Sequence, residues 1–171
     1  MSFVDLICTP YLRLRISIDP SVRITYHPRS KKINRSGFTR KTCSYTFEQR
    51  ITIVNAKATS LSSIKVHDQI PVSEDEDVAV HLIKPPLKLP IVKKGNVQPA
   101  EPALVKDEKG FRVIAKWDEM DEEEGGIDPT LVGKSGKMHW VLDEMPVQSR
   151  LHLVLSWEVV CASGTDVMEQ G

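Results

Sequence analysis

The sequence predicts an all-β protein: an immunoglobulin-like β-sandwich of about seven to nine strands with long proline-rich and acidic loops. Three observations carry this expectation. Apolar and polar residues alternate with period two in at least six segments, the pattern of half-buried strands. Turn-forming pairs such as Asp19-Pro20, His27-Pro28, Pro85-Pro86, Gly95-Asn96 and Gly125-Gly126 punctuate those segments. Finally, no stretch of ten or more residues shows a 3.6-residue apolar period behind a capping residue.

In chain order, residues 1–11 read as an atypical N-terminal segment, 12–164 as a single sandwich domain and 165–171 as a C-terminal tail. The first alternation is Leu12-Leu14-Ile16-Ile18, followed by Val22-Ile24-Tyr26. From Cys43 to Ile53 the odd positions form one face, apolar except for Gln49. Shorter alternations follow at Ile64-Val66, Val78-Val80-Leu82, Phe111-Val113-Ala115-Trp117 and Met138-Trp140-Leu142. The last is Leu151-Leu153-Leu155-Trp157-Val159. These faces predict a core of Tyr45, Phe47, Ile51, Ile53, Val66, Val80, Val113, Trp117, Trp140, Leu153, Leu155 and Trp157. Between them run two long connections. Residues 85–102 carry Pro85, Pro86, Pro90, Pro99 and Pro102, and residues 118–134 are acidic and glycine-bearing.

At 171 residues the chain is long enough for one domain with a real core. Its formal net charge of zero argues against nucleic acid or an anionic membrane as partner. No apolar run approaches the ~20 residues of a membrane helix. Three cysteines, Cys8, Cys43 and Cys161, form neither a C-x-x-C pair nor a zinc spacing, so all are expected to be free thiols in a reducing, cytoplasmic setting. Charge is uneven: residues 1–50 hold ten Lys/Arg against three Asp/Glu, and residues 101–128 hold ten Asp/Glu against four Lys/Arg. Solvated loops account for this without an acidic or basic partner.

Three blocks carry a family resemblance. They are Asp19-Pro20-Ser21-Val22-Arg23-Ile24-Thr25-Tyr26, Ile51-Thr52-Ile53-Val54-Asn55 and Asp68-Gln69-Ile70-Pro71-Val72-Ser73-Glu74-Asp75. Together they resemble the C-terminal domain, of unknown function, of mucoidy-inhibitor-A-like proteins, most closely the fungal branch. Gly136 to Trp140 and Leu153 to Val159 look like the closing hairpin of that domain. The resemblance implies a β-rich domain, no established activity and no catalytic residue to carry over. Independently of it, Asn55 and Asp68 stand where strands stop, and their side chains suit nearby backbone amides.

Candidate sites are sparse. The acidic groups Glu74 to Asp77, with Glu74, Asp75 and Asp77 as donors, and Asp118 to Glu124 could offer oxygens to calcium, but neither fits an EF-hand loop. If Met145-Pro146 centres a terminal hairpin, His139 and His152 become cross-strand neighbours that could share a metal. Both would then point to solvent, without a third ligand. Ser73 lacks a nucleophile-elbow context, and Cys43 shares an apolar face. The sequence therefore predicts no catalytic, cofactor or metal site. It predicts a non-catalytic interaction module with a protein partner, and a homodimer through an N-terminal sheet edge. The alternatives are a calcium- or carbohydrate-binding sandwich and a hydrolase with an unrecognised site.

Overall fold

The computed structural model describes residues 19–36, 42–93, 96–106, 110–120 and 128–162. Within them the protein has two antiparallel sheets and a separate two-stranded ribbon. The predicted first strand, Leu12 to Ile18, and with it the N-terminal edge expected to dimerise, lies outside the described residues, as does Cys8.

The larger sheet is built on two long strands, β3 (Thr42–Asn55) and β11 (Arg150–Ala162), paired from Val54 opposite Arg150 to Thr42 opposite Ala162. On one side β5 (Ala79–Lys84) flanks β11. On the other, β3 is long enough for two partners. Its C-terminal part pairs with β1 (Val22–Tyr26) and its N-terminal part with β2 (Ser30–Ser36). The smaller sheet runs β4 (Leu61–Gln69), β10 (Lys137–Met145), β9 (Arg112–Trp117) and β8 (Ala103–Lys106). Inside the proline-rich crossing, β6 (Ile91–Lys93) and β7 (Asn96–Gln98) pair with each other and with neither sheet. A Lys88–Glu101 ion pair of 2.6 Å closes the base of that crossing.

The period-two pattern delivers the core as expected. Of the twelve core residues named from sequence, ten are buried, and Tyr45 and Val80 are partly buried against them. Gln49, the polar exception on the inner face of β3, is also buried. Its amide donates to the backbone carbonyls of His27 and Arg50, so the buried polar group is paired. Cys43 and Cys161 are free, buried and directly opposite each other.

Strand β2 has no counterpart in the alternation because Ile33 is its single apolar residue. It forms because β3 overhangs β1 and offers an open edge. The segment brings Lys31 over the rings of Tyr45 and Phe47, at 4.9 and 5.4 Å, and Arg29 over Trp157 at 5.1 Å. Cationic heads with apolar stems thereby lie over the rings of Tyr45, Phe47 and Trp157.

The expected closing hairpin is corrected. Strands β10 and β11 lie in different sheets, β10 beside β4 and β11 beside β3. Four linking residues, 146–149, can span roughly 13 Å, enough to cross the ~10 Å between packed sheets. The same alternation suits a hairpin or a crossing, so sequence pattern alone does not separate them. The link from β3 to β4 crosses at the same end of the sandwich. There Asn55, fully buried, joins the two crossings: its amide donates to the carbonyls of Thr59, Met145 and Pro146, and its Oδ1 accepts from Lys57 N–H.

At the opposite end Gly136 joins the smaller sheet's two leading strands. Its carbonyl accepts from Ile70 N–H at 3.0 Å, and its φ is +69°. A Cβ there would collide with the Ile70 carbonyl oxygen, a backbone atom that cannot swing aside. Gly136→Ala is therefore expected to cost at least about 2 kcal/mol, from left-handed strain plus that collision. Chemical denaturation measures it, and a cost under about 0.5 kcal/mol would show that the turn relaxes freely.

Candidate metal centre

Three neighbouring strands of the smaller sheet bring together two histidines and one aspartate. In β4, Val66 faces the core and the next residue, His67, faces outward; in β10, His139 faces outward between buried Met138 and Trp140. The register sets His67 directly opposite His139, with ring centroids 5.6 Å apart. On the far side of β10, Trp117 ends β9 on the core face, and period two turns the following residue, Asp118, to the outer face. Asp118 opens a single 3-10 turn, Asp118–Met120, so its carboxylate folds back over the histidines.

The result is a compact donor set. Asp118 Oδ1 lies 2.7 Å from His139 Nδ1 and 3.6 Å from His67 Nδ1. One ligand atom from each residue lies within 4.8 Å of the others. His139 is enclosed, with 1% of its side chain exposed, whereas His67 and Asp118 retain 26% and 28%. Burial pushes the Asp118 carboxyl up, but the hydrogen bond from His139 and the neighbouring His67 outweigh it and hold the pKa below the ordinary value. Asp118 is therefore a carboxylate, an acceptor only, and the His139 Nδ1–H donates to it.

The next turn is fixed by the adjacent acid. Glu119 accepts from Gly133 N–H at 3.2 Å and from the Ser135 hydroxyl at 2.5 Å, drawing the residues before β10 toward the end of β9. By contrast Asp68, next to His67 in sequence, faces the sandwich interior. Burial raises its carboxyl to about 6 against the opposing pull of the Gln69 amide and Arg29.

The sequence-predicted donors are distributed differently from expectation. His139 is buried, not solvent-facing, and His152 is not its neighbour, because β10 and β11 belong to separate sheets. His152 lies on the outer face of the larger sheet, where its Nδ1 is 3.1 Å from the Thr52 hydroxyl. That hydroxyl also meets His27 Nε2 at 2.7 Å. Glu74, Asp75 and Asp77 occupy an exposed turn between β4 and β5, in which the Asp75 carboxylate accepts from Asp77 N–H at 2.9 Å. Among the described residues these three do not join a metal-compatible group. Asp118, first in the second acidic run, does join one, but with imidazoles in place of carboxylates. His67 escaped sequence reasoning because its partner lies 72 positions away, on a strand whose pairing the local pattern does not encode.

The family model described as "Domain of unknown function (DUF4139)" matches residues 18–101, just under half of the chain. His67 lies inside that stretch, Asp118 and His139 outside it. The chain is also 27% identical over 107 residues to Protein F37C4.5 of Caenorhabditis elegans, a match covering 63% of this chain and 19% of that protein. This chain thus spans less than a fifth of that relative's length. No solved structure matches it significantly. Among the described residues, no helix is long and apolar enough to cross a membrane. What these likenesses support is similarity, over residues 18–101, to a domain of unknown function.

Proposed function

We propose that the chain is a non-catalytic β-sandwich interaction module that binds another protein through the proline-rich crossing and the neighbouring sheet edge. The observation that carries this reading is the placement of apolar surface. The crossing bears a ribbon paired to neither sheet, and it leaves Leu89 55% and Ile91 49% exposed. Leu104, on the edge strand β8 that follows, is 51% exposed. Exposed aliphatic side chains on the crossing and on an edge strand suit protein contact, by side-chain docking or strand addition.

The match to the domain-of-unknown-function model covers the three quoted blocks, and an origin among mucoidy-inhibitor-A-like proteins, in the fungal branch, is our reading of those blocks. A reducing, cytoplasmic setting is supported by Cys43 and Cys161, which face each other as free thiols. As for sandwich type, an immunoglobulin-like fold is what the strand pattern predicts. Crossings at one end, with β3 beside β11 and β4 beside β10, favour a jelly-roll-type connectivity in our reading.

The test is capture from a native extract by the wild-type chain and by a Leu89→Ser/Ile91→Ser variant, both exposed positions whose change should leave stability within about 0.5 kcal/mol. The expected result is a partner retained in stoichiometric amount by the wild type and lost by the variant. Equal capture by both would overturn the assignment of this surface.

A further inference from the structure

We infer that His67, Asp118 and His139 form a binding site for a single divalent transition ion of the zinc class, with three protein ligands and one open position. This inference is independent of the interaction surface proposed above, which lies on other residues.

The donor chemistry selects the ion. Two imidazole nitrogens and one carboxylate oxygen are the set that zinc and its first-row neighbours accept. Calcium takes six to eight oxygens, and this cluster offers one carboxylate. The geometry is close to what coordination needs. Bonds of ~2.0–2.2 Å in a tetrahedron place ligand atoms about 3.3–3.5 Å apart. The Asp118–His67 separation of 3.6 Å already matches, and the Asp118–His139 separation of 2.7 Å must open by under about 1 Å. On binding, His139 gives up the Nδ1 proton that Asp118 now accepts and takes one on Nε2 by exchange with solvent, so the imidazole stays neutral while its Nδ1 lone pair and the carboxylate turn to the ion.

Preorganisation comes from the sheet. His67 and His139 are fixed by the β4–β10 register, and Asp118 follows directly from the β9–β10 register. The acceptor is placed by the backbone of a strand end instead of by a long loop, so little ordering is required when the ion enters. Enclosure of His139 beneath the partly exposed His67 and Asp118 leaves entry from one side, which fits a site keeping one position for water or a ligand donated by a partner.

A simple His–Asp hydrogen bond that only braces the strand ends makes a different prediction, and the experiment separates the two. The untagged full chain is titrated with zinc chloride in competition with a chromophoric chelator, and separately with cobalt chloride. The expected outcome is one ion per chain, four-coordinate cobalt bands in the visible spectrum, and a rise in Tm of about 5–10 °C at roughly 100-fold excess over Kd. His67→Gln, at a partly exposed position that should not disturb folding, is expected to weaken binding by more than about tenfold. His152→Gln, on the other sheet, is expected to leave affinity unchanged. Loss of zinc binding in His67→Gln with retained thermal stability of the metal-free chain supports the site. Equal affinity in wild type and His67→Gln, or no saturable binding, overturns it.

Discussion

Replacing Trp157 by alanine is expected to lower the unfolding free energy by about 3–5 kcal/mol, the range for removing a buried aromatic. Trp157 is 3% exposed on the inner face of β11, one of the two interior strands of the larger sheet, and stacks on Phe47 with centroids 5.5 Å apart at 19°. Arg29 lies over the same ring at 5.1 Å, so alanine removes a stacking partner and a cation–π contact as well as filling. Among the described residues the indole Nε1 has no hydrogen-bond partner, so the ring contributes by packing and not through its N–H. Trp157→Phe should accordingly cost far less, under about 2 kcal/mol, because most of the apolar volume remains. Urea denaturation of the three proteins tests both statements. A change under about 1 kcal/mol for alanine would place the side chain outside the core.

Much of the fold was legible because period two is a local signal. Strands β3 and β11 each carry five or more inner-face apolar residues and β10 carries three, and burial confirms their orientation at the predicted positions of these strands from Phe47 to Trp157. Pairing was not legible. Met138-Trp140-Leu142 and Leu151-Leu153-Leu155 read the same whether their strands form a hairpin or face each other across the interior. Strand β2 was invisible because its stability comes from the edge of β3 and from cation–aromatic cover, neither of which leaves a hydrophobic period. The His67–Asp118–His139 cluster divides the same way. His139 was recognised as a possible ligand and Asp118 as part of an acidic run, but His67 enters through the β4–β10 register alone. Outward orientation was also a poor guide to exposure, since His139 faces away from the core yet is enclosed by Asp118 and His67.

Asn55 offers the sharpest separation of shape from hydrogen bonding. It was legible in sequence as a residue at a strand end whose side chain suits the backbone, and it turned out to join both sheet crossings. Its amide nitrogen reaches three carbonyls, of Thr59 at 3.1 Å, Met145 at 3.3 Å and Pro146 at 2.9 Å. With two N–H protons for three acceptors, one proton is shared. Asn55→Ala removes these bonds and the one from Lys57 N–H, in a fully buried position, and is expected to cost about 2–4 kcal/mol. Asn55→Asp keeps the shape and the Oδ1 acceptor but sets a carboxylate against three carbonyl oxygens. At pH 7 it should destabilise at least as strongly as alanine. Its carboxyl would titrate higher in the folded state than in the unfolded chain, so the folded state binds the extra proton and stability relative to wild type must rise as pH falls. Denaturation at pH 7 and pH 5 reads this directly, with Asn55→Asp recovering and Asn55→Ala holding a constant deficit. An Asn55→Asp protein within about 0.5 kcal/mol of wild type at pH 7 would mean that the crossings are held by their packing alone, and that the amide is incidental to them.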